Sequence, residues 1–539
     1  MSRLTTLLGQ RLRRDWLQLT LWIGGTMGLA LVGVSAVAST YGTEQERAAL
    51  LATVMANPVI LLFRGLPSGP GEQAFIVFLL MPFLVMMAAF MSSFLAVRHT
   101  RGDEESGRLE LVAATTAGRT VPTIATIVHG VLANLLLGLL VAAAFLTGGS
   151  PAEGSWLAGF TAACGGLTYL GVALLAAQLM RTSRGANSLA VWVLVVTYFI
   201  AGIGNAVGTP SDDLTHMESS WLTWLSPFGW AENTRAFDEN LWWPALLCLG
   251  AFAVLAGAAL ALQAVRDLGA SIVPERQGRA AARATLSSPT ALVSRLATGS
   301  TVGWMAGAFF TGALSTSLGS VVNEIGAENP AVADLLKALS AEADLEQAVV
   351  VVFFTMVGLL AACAGVQTVA RARQEEAHGT AEPVLATPVQ RVRWLADFVV
   401  IGFIAIVLTC AAAYLGAWVG AAGRENGADL TSDAFVAAWG QAVAASVFLA
   451  LTALIFTIAP RWTIPLGWTL VTTAILFGLY GPLLGLPEWV TNLSPFTVAP
   501  IPSGSEVDLR GMWWLLLVTG AGAAASLTLM QRRELASAG

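Results

Sequence analysis

Lysine is nearly missing from this chain: Lys337 is the single example in 539 residues. A phosphate-binding loop of the nucleotide-hydrolysing kind ends in Gly-Lys-Ser/Thr, with the ammonium reaching the phosphates. Lys337 stands in no such setting, so the chain carries no such site. Charge of either sign is also scarce, at 12% of residues, against about 25% in soluble domains. That is too little to solvate a surface of this size and excludes a water-soluble globule. The four cysteines, Cys164, Cys248, Cys363 and Cys410, lack paired or metal-ligand spacing. This removes a disulfide framework and a zinc site and leaves them as small apolar fillers. No stretch outside the apolar runs is long enough to fold as an enzyme domain, and no nucleic-acid partner is expected.

What is present is hydrophobic sequence, 56% of the chain, in runs of about 20 residues, the length that crosses a bilayer as a helix. Six runs lie near 19–39, 72–97, 121–147, 155–180, 187–208 and 243–264. Six more lie near 301–322, 346–370, 394–420, 434–460, 463–482 and 511–531. The expected fold is an all-α polytopic membrane protein with twelve spans. With the N-terminus inside, only Arg47, Arg64, Arg235, Lys337, Arg424 and Arg510 of the 28 basic residues fall on outer segments, as the positive-inside rule requires. Both termini are therefore expected in the cytoplasm.

Ahead of the first span, residues 1–18 put Leu4, Leu7, Leu8, Leu12 and Trp16 on one helical face, with Arg11, Arg13 and Arg14 largely away from it. This predicts a separate helix lying along the inner membrane surface. A cleaved signal peptide ending at Ala36-Val37-Ala38 competes with it, but the second half opens on an equivalent span that nothing removes, which favours retention. The segments 46–58 and 329–345 predict short outer helices. The outer loop 209–243, with Trp221, Trp224, Trp230, Trp242 and Trp243, predicts an anchor at headgroup level.

Within the spans, Phe83, Met87, Phe90 and Phe94 recur at helical spacing beside Pro82, and Phe353, Phe354 and Met356 stand in the corresponding second-half span. Such a face suits a greasy substrate route and ordinary helix packing alike. No Asp, Glu, Lys or Arg is placed inside a span, Asp397 lying at the edge of the ninth. The polar candidates there are His129, Asn134, Asn205 and Gln441. Ion-coupled transporters usually keep an ionisable group in the membrane, so this counts against that class.

The strongest signal is a repeat. Val97 to Arg119 reads VRHTRGDEESGRLELVAATTAGR, and Val369 to Arg391 reads VARARQEEAHGTAEPVLATPVQR. Each joins two apolar runs, so each is a charged helical elbow on the inner side. Asp103, Glu104, Gly107, Glu110 and Arg119 match Glu375, Glu376, Gly379, Glu382 and Arg391 at a constant offset of 272, with Thr115 against Thr387. Leu225-Ser226-Pro227-Phe228 against Leu493-Ser494-Pro495-Phe496 gives a second match before each half's last span. The expected organisation is an interfacial helix 1–18, a first six-span half 19–264, a basic linker 265–300 containing Arg276, Arg279 and Arg283, and a second half 301–539. The halves are repeats of one orientation.

At these elbows the sequence resembles the ABC-2-type permeases of bacterial ABC exporters, in particular the fused twelve-span permeases of actinobacterial polyketide-antibiotic and multidrug exporters. The pattern is an acidic pair, a glycine, a glutamate, a hydrophobic Ala-Thr stretch and a closing arginine. Glu104, Glu105, Gly107, Glu110, Leu111 to Thr115 and Arg119 meet it, as do Glu375, Glu376, Gly379, Glu382, Leu385 to Pro388 and Arg391. The copies differ where Arg108 becomes Thr380 and Leu111 becomes Pro383.

The resemblance implies a multi-pass permease of the bacterial plasma membrane that exports lipophilic small molecules, as in antibiotic or drug efflux. It implies no cofactor on this chain and two cytoplasmic ABC ATPase subunits, a homodimer, holding ATP and Mg²⁺. Membrane lipids are the other expected partner. It also implies ATPase-coupling roles for Glu104, Glu105, Gly107, Arg108, Glu110, Arg119, Glu375, Glu376, Gly379, Glu382 and Arg391. On that footing Glu104→Ala or Glu110→Ala uncouples hydrolysis from export without unfolding the protein. Two other classes stay open: an ion-coupled six-plus-six secondary transporter and a non-transporting scaffold.

Overall fold

The computed structural model describes residues 3–40, 43–55, 58–113, 118, 120–267, 269–273, 281, 286–318, 345–478, 487–503, 506–509 and 511–534. Apolar sequence without water must satisfy its backbone internally, and a helix does so within one segment. The chain forms two compact units, Met1–Gly278 and Arg279–Gly539, each built, among the described residues, on six long helices. In the first these are α1 (Arg3–Thr40), α2 (Glu72–Val97), α3 (Val121–Thr147), α4 (Ala152–Leu179), α5 (Ser183–Ala206) and α6 (Trp243–Val265). In the second they are α7 (Pro289–Ser317), α8 (Leu345–Ala377), α9 (Arg391–Gly420), α10 (Gly427–Ile458), α11 (Thr463–Gly478) and α12 (Met512–Arg532).

Ten of these helices are long and apolar enough to cross a membrane. The exceptions are α7, which is long but diluted by Thr, Ser and Gly, and α11, which has 16 described residues. The all-α polytopic architecture therefore stands, with ten candidate spans among the described residues where the sequence suggests twelve. Two short hairpins, Thr209–Pro210 with Met217–Glu218 and Ile501–Ser503 with Glu506–Asp508, interrupt it.

The same partners meet in both units. In the first, α4 is central, with α2, α3, α5 and α6 against it and α1 resting on α2 and α3. In the second, α10 is central to α8, α9, α11 and α12, and α7 rests on α8 and α9. Small residues allow close approach, as they do between helices in lipid. A Cβ on Gly138 or Gly159 would run into the facing carbonyl across α3 and α4, and one on Gly312 or Gly416 would do the same across α7 and α9. Pro82 cannot donate to the carbonyl of Phe78, and the Gly65 amide does so instead at 3.0 Å.

Two expectations are corrected in α1. It runs unbroken from Arg3 to Thr40, so residues 3–18 continue into the first apolar run instead of forming a separate helix. Leu12 and Trp16 are exposed while Arg11 and Asp15 are buried. In lipid the outward face is the apolar one, and polar groups turn toward the bundle. Similarly, α7 begins at Pro289, capped by Ser288, inside the stretch read as linker.

At the end of the first unit away from its elbow, Glu44–Met55 and Pro58–Phe63 are short helices; 329–344 lie outside the described residues. Ser226 accepts from the Phe228 amide at 3.1 Å and donates to the Thr197 carbonyl at 2.6 Å. This seats Phe228 against Tyr169 and Tyr198, at 5.6 and 5.4 Å between ring centres. Phe496, its counterpart in the second unit, stacks on Phe448 at 5.1 Å. The Trp224 ring stacks on Trp243 at 5.1 Å, and Trp230 donates to the Trp224 carbonyl at 2.6 Å.

Candidate functional site: two matched elbows

Both elbows turn on a glycine in the left-handed region, Gly107 at φ +71° and Gly379 at φ +72°. The Gly107 amide donates to the Glu104 carbonyl at 3.1 Å, and the Glu110 amide to the Gly107 carbonyl at 3.2 Å. The Gly379 amide donates to Glu376 at 3.1 Å, and Glu382 to Gly379 at 3.2 Å. Each turn therefore ends one long helix and starts a short one, Arg108–Ala113 and Ala381–Leu385. One difference is local. The first elbow reaches its turn through a π-helical segment, Arg98–Gly102, whereas α8 stays α-helical to Ala377.

The acidic residues before the turn are structural clamps. Glu104 pairs with Arg101 at 2.9 Å and with Arg266, just past α6, also at 2.9 Å. Glu376 pairs with Arg373 at 3.5 Å and takes two bonds from Arg533, just past α12, at 2.5 and 2.8 Å. The second clamp repeats the first, with the same elbow glutamate, the same arginine three residues before it, and the arginine that ends the last long helix. Glu104 also accepts from the Gly269 amide at 2.6 Å. Arg266 donates to Gln178 of α4 at 2.9 Å, and Arg533 lies 4.4 Å over the Phe456 ring of α10. Each clamp thus ties its elbow to the end of the sixth helix and to the central helix.

The residues expected at a partner surface divide accordingly. Glu376 is buried, its side chain 1% exposed, and the Glu104 side chain is 7% exposed. Glu105 accepts from the Ser183 amide at 2.9 Å at the start of α5, and Glu375 from Arg371 at 2.6 Å. Arg108, Glu110 and Glu382 face outward. Arg391 is exposed and donates to the Arg533 carbonyl at 2.7 Å. Arg119 lies outside the described residues, as do Thr115, Arg276, Arg279 and Arg283. Glu104→Ala would also break the clamp to Arg101 and Arg266, which Glu110→Ala would leave in place. Sequence reasoning gives Arg101, Arg373, Arg266 and Arg533 no role beyond charge on the inner side. Their signal was present: Arg101 and Arg373 share the 272 offset, and Arg266 and Arg533 each follow a sixth apolar run.

In α2 the Phe/Met residues Phe83, Met87, Phe90 and Phe94 are all half-buried along one helical face. Phe90 and Phe94 stack on each other at 5.8 Å and sit beside Trp22 of α1 at 6.4 and 6.3 Å. Phe83 lies under the Arg64 guanidinium at 5.7 Å, and Met87 is half-buried. In α8, Phe354 is fully buried in the core of its unit, Phe353 is half-buried and Met356 is exposed.

The polar candidates mostly find hydrogen bonds. Asn134 donates to Ser92 at 2.8 Å, and Gln441 to the Phe496 carbonyl at 3.3 Å. Asn205 donates to Glu232 at 2.6 Å. Burial pushes the Glu232 carboxyl up to about 8, against the lowering pull of that bond. His129 makes no hydrogen bond. The spans are also not free of acid, since Asp15 is buried in α1 against His99 and Arg98.

The chain is similar to known proteins over nearly its whole length. A family model described as the C-terminal domain of multidrug efflux system permease Rv1217c matches residues 286–530. The multidrug efflux system permease protein Rv1217c of Mycobacterium tuberculosis is 32% identical over 531 residues, 97% of this chain and 93% of the relative. Together with the apolar helices, this places the chain as a multi-pass protein of the bacterial plasma membrane. Two units of one helix plan, closed by matched elbow clamps and aligned almost end to end with that relative, make this chain a member of the Rv1217c multidrug efflux permease family.

Proposed function

We propose that this chain is the membrane permease subunit of an ATP-driven exporter of lipophilic or amphipathic drugs. Its two elbows lie on the cytoplasmic side as seats for two separate ABC-type ATPase subunits, which hold ATP and Mg²⁺. The observation that carries this reading is the repeated clamp, Glu104 with Arg266 and Glu376 with Arg533. A push on a short elbow helix needs a rigid route into the membrane, and a flexible loop would absorb it. Here the short helix hangs from a glycine turn that opens on a glutamate, three residues before the glycine, ion-paired to an arginine at the end of another long helix. Outward-facing Arg108, Glu110 and Glu382 offer charges that fix register across an interface. Closure of the ATPases then moves the elbow together with its two attached helices, the kind of rigid displacement that alternating access requires.

The test is to look for an ABC-type ATPase gene beside this one and to co-reconstitute its product with the chain. The Glu110→Ala/Glu382→Ala variant is expected to keep its thermal stability and lose ATP-driven export. Wild-type export by that variant would overturn the coupling role. Buried Asp15 beside two histidines favours an ion-coupled transporter as the second reading. That reading requires uphill transport in an ion gradient by the chain alone, without nucleotide.

A further inference from the structure

Three side chains from three helical segments meet beside the first elbow: Asp15 of α1, His99 in the π-helical turn after α2, and His129 of α3, all buried. The Nε2 of His99 is hydrogen-bonded to Asp15 Oδ2. His129 Nε2 lies 3.9 Å from the same oxygen, and the two rings are 5.4 Å apart. One ligand atom from each residue lies within 4.8 Å of the other two. The Asp15–His99 hydrogen bond engages two of these groups and leaves the third. His129 is 1% exposed, and neither ring nitrogen makes a hydrogen bond. A buried imidazole in that condition calls for a cause.

We propose that Asp15, His99 and His129 bind one divalent transition-metal ion of the zinc class, with a further position open to water. Two imidazoles and a carboxylate form the donor set such borderline cations take. Binding displaces the proton that His99 shares with Asp15, so the ring keeps its hydrogen on Nδ1. That nitrogen faces Asp103 Oδ2 at 3.5 Å. A ligating histidine backed by a carboxylate through its other nitrogen is the usual outer-shell arrangement. Arg98 holds the other Asp15 oxygen at 3.1 Å, which leaves Oδ2 for the ion. Tetrahedral zinc spaces its ligand atoms about 3.3 Å apart, so side-chain movements of about 1 Å close the site.

The neighbouring cations set a moderate affinity without excluding the ion. Arg11 donates to the carbonyls of His99 and Pro122 and to the Thr126 hydroxyl, at 3.2, 3.0 and 2.9 Å. Its charge and that of Arg98 are opposed by Asp15 and Asp103. A cavity of about 150 Å³ lined by Leu7, Gln10, Arg14 and Leu109, among others, borders His99 and Asp103. The second unit has Arg371 and Ile401 at the positions 272 beyond His99 and His129, so the site belongs to the first unit alone. A bound ion would fasten α1 to α2 and α3 where the first elbow departs.

The test uses the full-length chain, purified in detergent with a histidine-free tag, stripped by chelator and titrated with Co²⁺ and then Zn²⁺. The expected result is one Co²⁺ per chain, a tetrahedral ligand-field spectrum and its loss on adding Zn²⁺. His129→Ala gives up no hydrogen bond, so it should keep its gel-filtration profile and lose the spectrum; His129→Gln serves the same purpose if the alanine variant does not fold. Asp103→Asn is expected to weaken binding about tenfold, and His216→Ala with His378→Ala to leave it unchanged. The proposal is overturned if wild-type protein gives no saturable spectrum, or if the His129 variants bind Co²⁺ as tightly as wild type.

Discussion

A single backbone angle sets the shape of each elbow. At φ near +70° an L-residue pushes its Cβ toward the following carbonyl, which costs about 1–2 kcal/mol. No neighbour lies within 4 Å of a Cβ built on Gly107 or Gly379, so the conformation alone carries the penalty. Gly379→Ala is therefore expected to lower unfolding stability by about 1 kcal/mol, measured by denaturant titration in detergent. Loss several times larger would mean that packing, not the angle, requires glycine. Glu232 supplies a second residue-scale prediction. Its folded-state carboxyl titrates near 8 instead of 4.5 because burial disfavours the anion. The folded state then binds more protons than the unfolded chain, so this contribution is complete below about pH 4.5 and is lost as pH rises through about 8. Glu232→Gln keeps an acceptor for Asn205 and should flatten the fall of melting temperature between those values. An unchanged profile would place the titration elsewhere.

At the scale of elements, the clamps decide how the helices hold together. A buried ion pair is weak evidence for net stability, yet removing one partner strands the other charge. Arg533 has a side chain only 9% exposed, so Glu376→Gln is expected to destabilise the protein by about 3 kcal/mol. Glu376→Gln combined with Arg533→Met should recover most of that loss, since methionine can still pack against Phe456. A double variant no more stable than the single one would show that the pair does more than neutralise a buried charge. The same logic sorts the elbow residues. Replacing Glu104 or Glu376 changes the scaffold, whereas Glu110 and Glu382 can be changed without touching it.

Across the whole molecule, the two units share a helix plan but not an elbow surface. Arg108 is 57% exposed beside Asp103 at 3.4 Å, while its counterpart Thr380 turns back to bond Glu375. The proposed ATPase seats are therefore unequal in charge. An exposed cation at an interface acts chiefly on association rate and salt dependence. Arg108→Thr should weaken partner binding by up to about fivefold at low salt, with the difference vanishing at high salt, as read by titration of the ATPase onto reconstituted permease. A salt-independent loss would instead place Arg108 in a desolvated contact.

Much of this organisation could be read without coordinates, because it depends on order along the chain. Ten of the twelve apolar runs fold, among the described residues, as helices long and apolar enough to cross a membrane, and the 272-residue offset between Glu104 and Glu376 announces a duplication. Gly107 and Gly379, whose left-handed positions select glycine locally, already stand matched in the repeat. Which face of a helix meets lipid and which meets protein was decided only in three dimensions. Leu12 and Trp16 look outward and Arg11 and Asp15 inward because α3 and the end of α2 supply their partners. Arg266 could not be linked to Glu104, nor Arg533 to Glu376, until α6 and α12 had been brought back to the elbows. Sequence periodicity records a residue's own preference; an ion pair or a three-sided ligand cluster depends on where distant segments end.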